Sequence, residues 1–433
     1  MSIPFIDLKT QYRRIESQVK EGLERVLAHG AYVMGPEIAE LEKELAVFCN
    51  VEHAVACSSG TDALLLSLMA KNIGPGDAVL TTPFTFCATA EVIALLGATP
   101  VFVDIDPATL NIDPDRLKPA IQALKSADPS IHPLPRQAKS VYSSGKEPSV
   151  PSSKPGETPL FSTPQVREQH PLPHAPCPMP HAPLVPKGLI SVDLFGLPCD
   201  YEAISSILRE EGLWLLVDAA QSLGCAYRGR STCSLGDTAC TSFFPAKPLG
   251  CYGDGGMCFT NDFGLHQELQ SLRVHGQGQN RYDNVRLGLN ARMDTMQAAV
   301  LLAKLRIFPE ELQQRNEVAQ AYNNLLQDSP GITVPAVFQD RQSAWAQYSL
   351  LARDHEHRQA VFDNLKKHGI PWAVYYPRPL HLQDVFNYLG YSPGDFPVSE
   401  EMSNRIFSLP MHPYLDRKDQ EKVARAVIEG SRR

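Results

Sequence analysis

Apolar residues recur at helical spacing over residues 13–28 and again over 37–48, which predicts two amphipathic helices near the start of the chain. The pattern then changes. Short, nearly continuous apolar runs at 78–82, 100–104, 189–192 and 213–217 have the length of buried strands. Gly74-Pro75-Gly76-Asp77 marks a break before the first run, and a helix near 89–96 leads to the second. Alternating strands and helices predict an α/β fold with a mostly parallel sheet covered on both faces. Helical spacing returns at 295–306, 358–368 and 417–429, with a strand at 345–350, so a smaller C-terminal α/β domain is expected. The expected division is a large domain over 1–266 and a small one over 267–433.

Residues 127–187 break this pattern. They hold 15 of the chain's 36 prolines, with much serine and histidine and little periodicity. Such a stretch cannot form helix interior or central strand, and it reads as a disordered surface insertion. His170, His174 and His181 lie within it, but their loose spacing does not make a metal site.

With 433 residues, 43% of them hydrophobic, the chain is long enough for one large core and a second domain. A net charge of -8 and the lack of a basic stripe argue against nucleic acid as a partner. No run approaches the roughly 20 apolar residues of a membrane span, and the first residues lack a signal-peptide pattern. Ten scattered cysteines, among them Cys57, Cys240 and Cys258 in apolar segments, fit reduced thiols and a cytoplasmic protein.

Three segments carry candidate chemistry. Lys247 stands in Thr241-Ser242-Phe243-Phe244-Pro245-Ala246-Lys247-Pro248-Leu249-Gly250, among aromatic and small residues. Burial lowers a lysine's pKa and frees its amine to attack a carbonyl, although a surface loop lysine is the plainer reading. Asp218 ends the apolar run 213–217, where open α/β sheets bind ligands, or where an acid caps the next helix. Ser58-Ser59-Gly60-Thr61-Asp62 runs into an apolar helix, a start that suits a phosphate or an ordinary N-cap. Together the three supply what pyridoxal phosphate requires: a phosphate cradle, an acid for the ring nitrogen and a Schiff-base lysine.

Here the chain resembles the DegT/DnrJ/StrS family of sugar aminotransferases, which have the fold-type I architecture of aspartate aminotransferase. The matching segments are Ser59-Gly60-Thr61-Asp62-Ala63-Leu64, Pro83-Phe84-Thr85-Phe86, Asp218-Ala219-Ala220-Gln221, the Lys247 segment and Gly288-Leu289-Asn290-Ala291-Arg292-Met293-Asp294. The resemblance implies that Lys247 is the catalytic lysine and that Asp218 pairs with the ring nitrogen. It places Gln221 near the ring hydroxyl and Phe86 on the ring face. Gly60, Thr61, the backbone of Asp62 and Ser242 hold the phosphate, and Asn290 reaches the cofactor of a second subunit in a homodimer.

Relatives that remove a sugar hydroxyl carry histidine in place of Lys247, so the resemblance implies transamination, with glutamate as donor. Within the family the likeness is to members that aminate C3 of a UDP-linked 2-acetamido-3-oxo-hexuronic acid for bacterial O-antigen. Arg292 is the candidate for the sugar carboxylate, and Tyr376 for another substrate contact. A structural ion pair is the alternative for Arg292. Tyr375 and Asp193 depart from the family pattern. A UDP-4-keto-hexose 4-aminotransferase and a non-catalytic regulatory protein are the other two readings.

Overall fold

The computed structural model describes residues 3–135, 184–280 and 282–432. Its central sheet has seven strands. The first five are β1 (His53–Cys57), β2 (Asp77–Thr81), β3 (Thr99–Phe102), β4 (Val185–Val192) and β5 (Trp214–Asp218). A hairpin of β6 (Ala226–Tyr227) and β7 (Arg230–Ser231) precedes the last two, β8 (Thr238–Ser242) and β9 (Gly256–Thr260). The strand order is β1-β9-β8-β5-β4-β2-β3. Within this sheet β9 alone is antiparallel, paired with β1 on one side and β8 on the other.

The apolar runs form central strands because helices cover both faces. Leu80, Leu189, Leu215 and Val217 face the helices Pro36–Cys49, Pro114–Ser126 and Tyr201–Glu211. Val79, Ile190 and Leu216 face the helices Gly60–Ala70, Ala88–Leu95 and Phe263–Leu272. Among the described residues no helix is long and apolar enough to cross a membrane.

A second core gathers Val318, Tyr322, Leu350, Val361, Phe407 and Val423, joined by Ile3 from the start of the chain. Its sheet is β10 (Ile332–Thr333), β12 (Tyr348–Ala352) and β13 (Ile406–Leu409), while β11 (Arg341–Gln342) pairs with β6. Asp104, just beyond β3, ties the two parts together. Its carboxylate accepts from the Val398 and Ser399 amides at 3.0 and 2.9 Å and from the Ser399 hydroxyl at 2.6 Å, so it caps the helix Pro397–Arg405.

Three sequence expectations shift. The division at 266/267 falls inside the helix Phe263–Leu272, whose Leu265, Leu269 and Leu272 pack on the large sheet. The change of core comes later, within the helix Phe308–Leu326, where Phe308 and Leu312 join the first core and Val318 the second. The strand expected at 345–350 begins only at Tyr348, because the preceding residues bond to a loop instead. Ala344 and Ala346 donate to the Gly196 and Phe195 carbonyls, and Trp345 takes a φ of 48°. The proline-rich insertion expected from residue 127 to residue 187 lies mostly outside the described residues, His170, His174 and His181 included, but β4 already starts at Val185.

Candidate active site

Asp218, Ser242 and the turn after Cys57 share one edge of the sheet, beyond the carboxyl ends of the parallel strands. The antiparallel β9 brings two of them together. Its first residue, Gly256, pairs with Cys57 on one side and with Ser242 on the other. A Cβ on Gly256 would sit 2.1 Å from the Ser59 carbonyl oxygen, so only glycine admits this approach.

The helix Gly60–Ala70 starts in this crowded corner. Ser59 is its N-cap, and its hydroxyl accepts from the Asp62 amide at 3.0 Å. The Ser58 hydroxyl in turn holds the Asp62 carboxylate. Asp62 is thus occupied in building the helix start, and the backbone role expected for it meets a competing bond. The Gly60 and Thr61 amides, which point out of the first turn, have no backbone partner among the described residues. Beside them the Ser242 hydroxyl accepts from the Phe244 amide at 3.2 Å, which leaves its proton free to donate. Two amides, a hydroxyl and a helix N-terminus form an anion cradle.

Asp218 is 6% exposed at the end of β5. The Thr89 hydroxyl donates to its Oδ2 at 2.9 Å and the Ala220 amide to its Oδ1 at 3.1 Å. Burial pushes this carboxyl above the usual range, while the two hydrogen bonds and the charge of Lys247 pull it back. Two further lone pairs can accept an N–H.

Lys247 follows β8, in a turn closed by its own amide donating to the Phe244 carbonyl at 2.8 Å. The residue is half-buried, and its amine makes no ion pair among the described residues. Burial lowers its pKa below that of an ordinary lysine, with Asp218 opposing the shift. The fold puts this lysine and Asp218 within each other's field.

Gln221, buried, accepts from the Phe195 amide at 2.6 Å and donates to the Tyr376 hydroxyl at 3.3 Å. Burial raises the Tyr376 pKa, so that hydroxyl stays neutral. Phe86 is 59% exposed, its ring 6.4 Å from that of Tyr376. A large aromatic face left open beside the hydrogen-bonded Gln221 and Tyr376 suits a flat ligand.

Asn290 and Arg292 flank Ala291, whose carbonyl accepts from the Ser58 amide at 3.0 Å. Asn290 is exposed and accepts from Arg292 Nε at 2.9 Å; Arg292 forms no ion pair among the described residues. Asp193, which departs from the family pattern, is buried. It accepts from the Cys199 amide at 2.9 Å, the Tyr201 hydroxyl at 2.7 Å and the Ser222 hydroxyl at 2.8 Å, bracing the loop beside Gln221. Thr85 and Thr89 were missed: no local signal in the sequence ties Thr89 to an acid 129 positions away. Among the described residues no group of His, Cys, Asp and Glu is placed to hold a metal ion.

The residues present fit the phosphate, ring face, ring nitrogen and aldehyde of pyridoxal phosphate. The cradle suits the phosphate, the open Phe86 face the ring and Asp218 the ring nitrogen, while Lys247 suits the aldehyde carbon. Fold and site together define a pyridoxal phosphate-dependent aminotransferase of fold type I. The chain belongs to the DegT/DnrJ/EryC1/StrS aminotransferase family, which it matches over residues 13–131 and 183–428. The gap between the two stretches falls within the proline-rich insertion.

Among its relatives is the UDP-2-acetamido-2-deoxy-3-oxo-D-glucuronate aminotransferase of Pseudomonas aeruginosa, 40% identical over 96% of each chain. A solved DegT DnrJ EryC1 StrS aminotransferase from Brucella abortus is 42% identical, with a TM-score of 0.83 over 98% of each chain. A putative sugar aminotransferase from Streptococcus pneumoniae, solved in its PMP form, shares the fold at 23% identity. Its TM-score is 0.80, over 100% of this chain and 98% of that one.

Proposed function

We propose that this protein transfers an amino group from glutamate to C3 of a UDP-linked 2-acetamido-3-oxo-hexuronic acid. The product would serve bacterial O-antigen synthesis, and the enzyme would work in the cytoplasm as a homodimer with shared sites. The observation that carries the chemistry is the buried Asp218, held by Thr89 and the Ala220 amide within the field of Lys247, beside a ready anion cradle. The similarity to the Pseudomonas aeruginosa enzyme carries the choice of sugar.

Bound pyridoxal phosphate supplies an electron sink for the carbon from which a proton is lost. The chain's residues do the rest. Gly60, Thr61 and Ser242 would hold the phosphate through N–H and O–H donors. Asp218 would accept from the ring nitrogen, Phe86 would offer its open face to the ring, and Gln221 would contact the cofactor beside it. Burial lowers the pKa of Lys247, so its Nζ would hold the cofactor's aldehyde end and would take up and return the proton. Arg292 offers its two free Nη groups to the sugar carboxylate, and Tyr376 bounds the sugar side. Asn290, exposed in a single chain, would serve the second subunit's cradle.

A panel of 3-keto and 4-keto UDP-sugars, offered with several amino acids and read by mass spectrometry, tests this reading. Amination of the 3-keto uronic acid with glutamate is expected. Preference for a 4-keto-hexose, or no amination of any sugar, would reject it.

A further inference from the structure

Thr85 and Thr89 are 2% and 1% exposed; Thr85 precedes Phe86 in the chain and Thr89 stands in the first turn of the helix Ala88–Leu95. Their hydroxyls are 3.1 Å apart, and the Thr89 hydroxyl is also 2.9 Å from Asp218 Oδ2. A threonine has one proton to give. Thr89 must give its proton to the carboxylate, which accepts only, so Thr85 is the donor to Thr89. The result is a directed chain, Thr85 to Thr89 to Asp218, in which each bond polarises the next.

Its position gives the chain a use. Asp218 is held at Oδ1 by the Ala220 amide and at Oδ2 by Thr89, which fixes the plane of the carboxylate. A buried acid without such donors would take up a proton, and it would then donate where acceptance is needed. The turn that holds Phe86 in the open thus also carries the hydroxyls that hold the acid beneath.

We propose that Thr85 and Thr89 are positioning residues for Asp218, keeping it ionised and in a single orientation toward the ring nitrogen of pyridoxal phosphate. The proposal rests on the role given to Asp218 above and adds the device that maintains it. No contact between either threonine and the substrate is involved.

The test compares Thr89→Val, Thr89→Ser and the double Thr85→Val, Thr89→Val variant with the wild type and with Asp218→Ala. The double variant removes donor and acceptor together, so no buried hydroxyl is left unpaired and the fold is spared. Three quantities are read: the dissociation constant of pyridoxal phosphate from the apoenzyme, the pH titration of the bound cofactor's visible band, and kcat with KM for the keto-sugar. Loss of one hydrogen bond to a charged group should weaken cofactor binding by about tenfold or more in both valine variants. It should also move the pH titration and lower kcat with little change in KM. Thr89→Ser, which keeps the hydroxyl, should restore the wild-type titration. Valine variants with wild-type affinity and titration, beside an impaired Asp218→Ala, would overturn the positioning role alone. An Asp218→Ala variant that binds and turns over normally would overturn the role of Asp218 itself, and this proposal with it.

Discussion

Gly60 and Ser242 meet with almost no space between them: a Cβ on the glycine would stand 2.6 Å from the serine Cβ. This contact joins the start of a helix to the end of β8, and it forms the wall of the anion cradle. Gly60→Ala should force the two apart. A loss of about 1–3 kcal/mol is expected from overpacking, read by denaturant unfolding of the apoenzyme. Cofactor affinity should fall with it in an equilibrium titration. An alanine variant with unchanged affinity would show that the close approach has no part in phosphate binding.

Lys247 and Asp218 set each other's titration. Burial lowers the lysine's pKa and Asp218 raises it part of the way back. The amine reacts when neutral, so the rate at which the apoenzyme attaches excess pyridoxal phosphate should fall as pH drops through the lysine's pKa. Asp218→Asn removes the opposing charge, and the pKa should move lower still. Stopped-flow absorbance across pH should therefore place the variant's midpoint below the wild type's. A midpoint that stays or rises would contradict the pairing.

Among the described residues Arg292 bonds only through its Nε, to Asn290 Oδ1 at 2.9 Å. Its remaining donors suit a planar carboxylate. Arg292→Ala should lower kcat/KM for a uronic acid by about tenfold to a hundredfold, the usual effect of losing a charged hydrogen bond. Neutral keto-sugars should lose much less. Equal losses on both classes would assign Arg292 to structure.

His412 predicts the acid limb of stability. It is 2% exposed, and its pKa is pushed down to about 4, chiefly by burial, with Arg315 adding to the shift and Asp7 opposing it. The unfolded chain takes up this proton near pH 6.5, the folded one only near pH 4. Stability is therefore full above about pH 6.5 and declines as pH falls toward 4, by about 3 kcal/mol for this group. Urea unfolding at several pH values should show the decline, and His412→Leu should flatten it. Equal slopes for the two proteins would exclude the histidine as the cause.

Much of this was legible in the sequence because the strongest signals are local. The run ending at Asp218, the serine-glycine turn before the helix Gly60–Ala70 and the lysine among apolar residues each announce themselves within about ten positions. What escaped depends on pairing across the chain. Gly256–Thr260 follows a glycine-rich run that reads as loop, yet it is the antiparallel strand that seats Ser242 beside the cradle. Thr89 meets Asp218 only after the sheet has formed. Trp345 reads as strand by its neighbours, but the loop at Phe195 and Gly196 takes the amides of Ala344 and Ala346 on either side of it. Asp62 was read as a phosphate contact, and the N-cap claims its amide.

The central claim is that Lys247 carries the cofactor, and one measurement addresses it directly. The purified protein is loaded with pyridoxal phosphate, reduced with borohydride, digested and mapped by mass spectrometry. The account predicts a phosphopyridoxyl group on the peptide containing Lys247, lost in Lys247→Ala together with transamination while the fold is retained. The group on another lysine, or on none, would contradict it.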